Sequence, residues 1–180
     1  FFLGVKHTKN ASIHCKRLFA VYEDATEFLG MSEATLPDLS FLTQEISGAG
    51  IAGNIESVII GHMEAMTLTL NFRTVSKSQM KLAAPKVHNI DLRVAQQDHD
   101  TTAGALKTTG VKHVLKVTPK KTALGKVAPA STADGSGEYA VSYYAVYIDG
   151  VKNTEIDPLN FICIIDGVDY LQEVRKILGK

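Results

Sequence analysis

Alternation with a period of two dominates the chain. In MEAMTLTLNFRT, Met66, Leu68, Leu70 and Phe72 fall on one face of an extended backbone and Thr67, Thr69, Asn71 and Arg73 on the other, the pattern of a strand buried on one side. HNIDLRVAQQ repeats it with Ile90, Leu92 and Val94 opposite Asp91, Arg93 and Ala95; GVKHVLKVT does so with Val111, His113, Leu115 and Val117 against Lys112, Val114 and Lys116. Tyr139 to Ile148 is aromatic and β-branched and ends at Asp149-Gly150, a strong hairpin signal. A second Asp-Gly, Asp166-Gly167, follows Asn160 to Ile165. Shorter strands are predicted for Leu18 to Tyr22, Glu27 to Ala34 and Phe41 to Ile46.

Helical spacing interrupts this pattern twice. Ser76 to Ala84 opens on a capping serine, closes before Pro85 and offers Met80, Ala83 and Ala84 for packing. Near the C-terminal end, Leu171, Val174, Ile177 and Leu178 recur at helical intervals, with Asp169 as N-cap and Gly179 as stop. The spacing predicts one short helix closing the domain. Loops are predicted at 47–54, 96–104 and 126–137, the last rich in Ser, Ala, Gly and Pro and expected to be mobile. No period of roughly 20–50 residues repeats, which sets solenoids and propellers aside.

At 180 residues the chain fits a single domain, and its 45% apolar and 21% charged content is that of a folding sequence. Cys15 and Cys163 lack the spacing of a disulfide framework or zinc site and are read as reduced. Lys6 breaks the first apolar stretch, and no run approaches the roughly 18 residues of a membrane span. The expected place of synthesis is therefore a cytoplasm, with no membrane anchor. Asn10-Ala11-Ser12 is then a chance sequon. The formal net charge of zero argues against a general nucleic-acid surface, yet the charges are segregated along the chain. Residues 1–17 hold Lys6, Lys9, Lys16 and Arg17 without an acid; 18–60 hold Glu23, Asp24, Glu27, Glu33, Asp38, Glu45 and Glu56 without a base; 106–126 hold lysines alone. Blocks that fold onto different surfaces would favour head-to-tail association; blocks that interleave would cancel.

Candidate chemistry is sparse. Gly48-Ala49-Gly50-Ile51-Ala52-Gly53 matches the dinucleotide fingerprint in letters. The adjoining stretch, Asn54 to Ile60 and then Gly61, is too short and too β-branched for the crossover helix that gives those glycines their use. A flexible small-residue loop that packs against a neighbour is the better reading. Asp98-His99-Asp100 holds metal-ligating types, but consecutive residues on an extended chain point opposite ways and no second cluster completes a site. His7, His14, His62, His88 and His113 are scattered, and no nucleophile elbow presents a serine or cysteine. The reading is a non-enzyme with no catalytic residue, metal or cofactor. Two other classes stand beside it: a monomeric β-sandwich binding module, for example carbohydrate-binding, which the absence of Trp disfavours, and a nucleotide-dependent enzyme resting on the glycine match.

LPDLSFLTQEISGAGIAGNIESVIIGHMEAMTLTLNFRT (36–74), VYEDATEFLG (21–30) and IDGVKNTEIDPLNFICIIDGVDYLQEVRKILG (148–179) come in an order that resembles the major tail tube protein of contractile-tailed bacteriophages and phage-tail-like bacteriocins. The resemblance implies an antiparallel β-sandwich or barrel-like domain over 18–180, with a flanking helix and a short C-terminal helix. Six copies would form a ring with a continuous inner β-barrel, and rings would stack into a hollow conduit for DNA or for envelope penetration. The implied partners are further copies, the tail sheath protein, a baseplate or tube initiator, and tape measure protein or DNA in the lumen. The implied location is the virion, assembled in the bacterial host cytoplasm. Ser47, Gly48, Ala49, Gly50, Ile51, Ala52, Gly53 and Asn54 match the family's reaching loop between subunits. An acidic or neutral lumen would let DNA slide, and Asp98 and Asp100 are candidates to line it. The basic segment 1–17 has no counterpart in the family and is read as an additional N-terminal arm.

Overall fold

The computed structural model describes residues 12–24, 26–28, 31–48, 52–100 and 105–180, with 12–17, 26–28, 99 and 100 described by backbone alone. The chain runs through β1 (Ser12–Glu23), β2 (Thr26–Phe28), β3 (Met31–Thr35), β4 (Phe41–Ile46), β5 (Ile55–Met63) and β6 (Met66–Phe72) into helix α1 (Lys77–Leu82). It continues through β7 (His88–Asp100), β8 (Ala105–Ala123), β9 (Gly135–Ile148) and β10 (Val151–Asp157), a 3-10 turn at Pro158–Asn160, β11 (Ile162–Ile165), β12 (Val168–Asp169) and helix α2 (Gln172–Leu178).

Ten strands form one antiparallel sheet with the path β12-β11-β10-β9-β8-β7-β1-β2, while β4 and β5 pair only with each other. Strand β9 is where the large sheet divides. Its first half, Gly135 to Val141, pairs with β6, and β6 pairs in turn with β3. Its second half, from Tyr144, pairs with β10. Between the halves the register against β8 slips at Lys116/Val117, leaving Ser142 as the bulged residue, and bulges bend and twist a strand. The apolar faces of the two parts meet in one core, where Met66, Leu68, Leu70 and Phe72 join Ile90, Leu92, Leu115, Tyr139 and Ile156. The alternation read from the sequence is the burial pattern observed along β6, buried at every second residue.

Both Asp-Gly pairs turn as their chemistry requires. Asp149 and Gly150 have φ of 48° and 82°, and Asp166 and Gly167 have 52° and 75°, the left-handed pair of a type I′ hairpin turn. Helix α1 is capped by Ser76, whose hydroxyl accepts from the Gln79 amide at 3.2 Å.

Several sequence expectations change. Glu27 to Ala34 is two strands, β2 and β3, with different partners. Residues 96–100 are the end of β7, and 135–137 the start of β9, leaving shorter connections than predicted. The connection before β9 is held by Lys126 N to Ala133 O (2.8 Å) and Ala133 N to Arg73 O (2.9 Å). Strands β5 and β10 were not predicted. Residues 12–16, counted with the basic arm, pair along β7 from Asp100 to Gln96, and Arg17 falls in the bulge before Leu18. Helix α1 buries Gln79 and Leu82, while Met80 is exposed. Asp169 does not cap α2; Leu171 holds that position, and Asp169 instead accepts from the Leu171 amide at 3.0 Å.

Candidate assembly surfaces

Because β4 and β5 join no other strand, they form an arm. Glu64 N to Ser40 O (2.8 Å) closes its base, and a bulge in β5 opposite Phe41/Thr43 redirects it. Gly61, at φ +81°, lies in that bulge with the Leu171 side chain seated on it; a Cβ there would be 2.4 Å from Leu171 Cδ2. The arm leaves a cavity of about 340 Å³ against the body, lined by Phe41, Val58, Ile60, Ile165 and Tyr170. Farther out, Ile46 and Ile55 are register partners on one face, and both are exposed. On the other face Glu45 and Glu56 stand directly opposite each other, an arrangement that is unfavourable for like charges. No Lys or Arg lies between residues 18 and 60 to relieve it.

Residues 47–54 connect the two strands at the arm's tip. Ser47, Gly48, Ala52, Gly53 and Asn54 are exposed, and a Cβ on Gly48 or Gly53 would meet nothing within 4 Å. Ala49, Gly50 and Ile51 lie outside the described residues. The Asn54 amide donates to Glu45 Oε1. Gly48 and Gly53 therefore sit between antiparallel strands, and among the described residues no helix N-terminus stands beside them for a pyrophosphate to meet.

A second surface is the outward face of β3, β6, the first half of β9 and the end of β8. Glu33 is opposite Asn71, Thr35 opposite Thr69, Thr67 opposite Ala140 and Thr69 opposite Glu138. Glu138 is in turn opposite Lys121. This face is small, hydroxyl-rich and close to neutral, and Asn71 Nδ2 donates to Glu33 Oε2 at 3.2 Å. Among the described residues, both of its edges lack a strand partner: β3 pairs only with β6, and β8 beyond Val117 has passed the start of β7. The β8 edge carries Pro119, which has no amide hydrogen to offer.

The outward face of β1, β7, β8 and β9 is of another kind. Ala20, Arg93, Lys112 and Tyr147 form one cross-strand row, continued to Lys152 on β10. Lys112 Nζ lies 3.0 Å and Arg93 Nη2 3.9 Å from the same carboxylate oxygen of Asp91. The Arg93 guanidinium also lies 4.6 Å from the Tyr22 ring centre. Beside this row, Ala95 faces Gly110, and these small residues between Leu18 and Tyr147 leave a hollow of about 900 Å³. Nearby, Glu155 accepts from Tyr143 Oη (2.8 Å) and Lys152 Nζ (2.9 Å). Burial alone would raise the Glu155 pKa, but those two donors hold it below the usual carboxylate range. Burial and the Glu155 contact raise that of Tyr143.

Asp98 lies near the far end of the β7–β8 hairpin, opposite Lys107, where it accepts from the Thr109 hydroxyl and from Gln96 Nε2. Asp100 pairs with Ser12 and Ala105 through its backbone, and its side chain lies outside the described residues. Neither is on the hydroxyl-rich face. Among the described residues no group of three His, Cys, Asp or Glu converges, and no helix is long and apolar enough to cross a membrane. The C-terminal helix is tied down by Arg175, which donates to Asp169 and to the Phe161 carbonyl (2.6 Å); Arg175 holds the Asp169 carboxyl below its ordinary pKa. Of its apolar side, Leu171 and Val174 turn toward Gly61 and Ile60, while Ile177 is 83% exposed and Leu178 is exposed too. The helix expected from the spacing is present, but only the first part of its apolar side packs against the domain.

Residues 17–179 match the family model described as phage tail tube protein FII. The tail tube protein of Escherichia phage P2 is 23% identical over 166 residues, covering 91% of this chain and 95% of that protein. Two solved structures share the fold. One is from the sheath/tube terminator of an extracellular contractile injection system (PVC) in the extended state, with a TM-score of 0.50, 11% identity, and coverage of 72% of this chain and 92% of that one. The other is from the PVC sheath-tube complex in the extended state, with a TM-score of 0.50, 12% identity, and coverage of 72% and 87%.

Proposed function

The chain belongs to the family of the phage tail tube protein FII, a structural component of the virion, and from that premise we propose that its copies close into hexameric rings that stack as the inner tube of a contractile tail. The observation that carries this reading is the hydroxyl-rich layer with two strand edges that lack partners. An open edge is a site for strand addition, so β3 of one copy pairs with the Thr118–Ala123 edge of the next, and ring closure leaves neither of these two edges exposed. Pro119 withholds one donor and so helps to fix the register of that junction.

The lumen is then lined by Glu33, Thr35, Thr67, Thr69, Asn71, Glu138 and Lys121. Threonine, asparagine and a near-balance of charge offer phosphate no cationic track, so DNA or a tape measure protein can pass. On this reading the lumen belongs to a different layer from Asp98 and Asp100. The arm, with 47–54 at its tip, reaches the neighbouring subunit. The opposite, outward side of the ring meets the tail sheath protein, a partner suggested by the sheath-tube context of the two similar structures. A baseplate initiator starts growth, and assembly takes place in the bacterial host cytoplasm.

Electron microscopy of the purified chain tests the tube, with uniform hollow rods expected. A Thr69→Cys variant tests the lumen. In intact tubes with closed ends its thiol should resist a maleimide too bulky to enter, and it should react in unassembled copies. Equal labelling in both states would move the lumen elsewhere.

A further inference from the structure

We propose that the Glu45–Glu56 pair on the arm of one copy docks on the Arg93–Lys112 pair of an adjacent copy. This rests on the tube reading only in that copies must associate.

The two surfaces fit in charge and in spacing. Glu45 and Glu56 are register partners on neighbouring strands, and so are Arg93 and Lys112. Directly opposed side chains on paired strands start about 4.5–5.5 Å apart, so two carboxylates and two cations are presented at the same interval. The acidic pair has no cation on its own segment, and the basic pair shares Asp91 as its acid. Asp149, at the other rim of the hollow, is matched with Lys107 (4.0 Å). Each side thus carries surplus charge of opposite sign.

The relief agrees. The glutamates lie farther out on the arm than Val58, which lines the cavity between the arm and its own body. Two residues from Arg93 and Lys112 come Ala95 and Gly110, which form the floor of the hollow. When the charged pairs meet, the outer end of the arm lies over that floor between Leu18 and Tyr147. Sheet faces stack about 10 Å apart, and the shallow floor lets the arm seat that closely.

A charge swap tests the pairing. A chain carrying Glu45→Lys and Glu56→Lys, and a second carrying Arg93→Glu and Lys112→Glu, should each stay as single copies. Each variant opposes like charges at the contact. Mixed in equal amounts, they should regain the wild-type sedimentation profile, because every contact in an alternating assembly is again oppositely charged. Gly110→Leu fills the hollow without a backbone clash, since a Cβ there meets nothing within 4 Å, and should also abolish association while the chain stays folded by circular dichroism. The proposal is overturned if either charge variant associates alone like wild type, if their mixture stays dispersed while wild type associates, if Gly110→Leu associates normally, or if wild type never associates. A wild type that associates into something other than hollow tubes would count against the tube reading and leave the swap decisive for the contact.

Discussion

Replacing Glu23 by glutamine should loosen the attachment of α1 to the sheet by a predictable amount. Glu23 is 2% exposed, with one carboxylate oxygen 2.5 Å from His88 Nδ1 and the other 2.7 Å from Lys81 Nζ on α1. The second ring nitrogen of His88 is 3.0 Å from the Ala84 carbonyl. Both ring nitrogens thus face oxygen atoms, which fixes the plane of the ring between the sheet and the end of α1. Removing one partner of a buried ion pair costs about 3–5 kcal/mol. Glutamine keeps one acceptor for His88 but turns an amide toward Lys81, so about 2–3 kcal/mol is expected for Glu23→Gln. With a urea m-value of about 2 kcal/mol/M for a domain of this size, the unfolding midpoint should fall by about 1–1.5 M at neutral pH. Burial alone would raise the Glu23 pKa, but Lys81 and His88 outweigh it and hold it below its ordinary value. A carboxyl depressed in the folded state contributes stability above its unfolded pKa, about 4.3, and loses it as the pH falls through the lower folded value. The wild-type and variant midpoints should therefore converge on acidification below about pH 4. A difference under about 0.5 kcal/mol at pH 7, or one that does not shrink in acid, would refute the ion-pair account.

Leu68 is fully buried at the centre of the core, so Leu68→Ala should cost about 2–5 kcal/mol in urea or thermal unfolding. Gly61→Val adds a side chain where Leu171 already sits and where φ is +81°; it should raise amide exchange along α2, and unchanged exchange would mean the contact is loose. Gly150→Ala meets no neighbour but keeps φ at +82°, so only the left-handed backbone cost applies, about 1 kcal/mol in thermal or urea unfolding. Thr69→Lys should leave rings able to form but give tubes that retain single-stranded DNA at low salt and release it as salt rises.

The parts legible in the sequence are those where one face is buried and the other is wet. Strand β6 and the paired stretches of β7, β8 and β9 announce themselves by alternation because their burial is decided within this chain. Strand β5 was missed because Val58, Ile59 and Ile60 are all exposed apolar residues, and a strand that places both faces outward shows no alternation. Strand β10 hides for the opposite reason: Lys152, Asn153 and Glu155 dilute an inward face made of only Thr154 and Ile156. The helical spacing of Leu171, Val174, Ile177 and Leu178 matches the observed helix, but spacing alone does not say how much of that side the domain buries. The hydroxyl-rich face was legible as chemistry and not as position, since it draws on Glu33, Thr69 and Glu138, which register alone brings together.

The seat of Leu171 on Gly61 also sets a schedule. The arm leaves the ribosome about a hundred residues before the segment that holds its base, which at about 5–20 residues per second is a delay of about 5–20 seconds. Until Leu171 arrives the bulge at Gly61 lacks the side chain that covers it, so the base of the arm is completed late in synthesis.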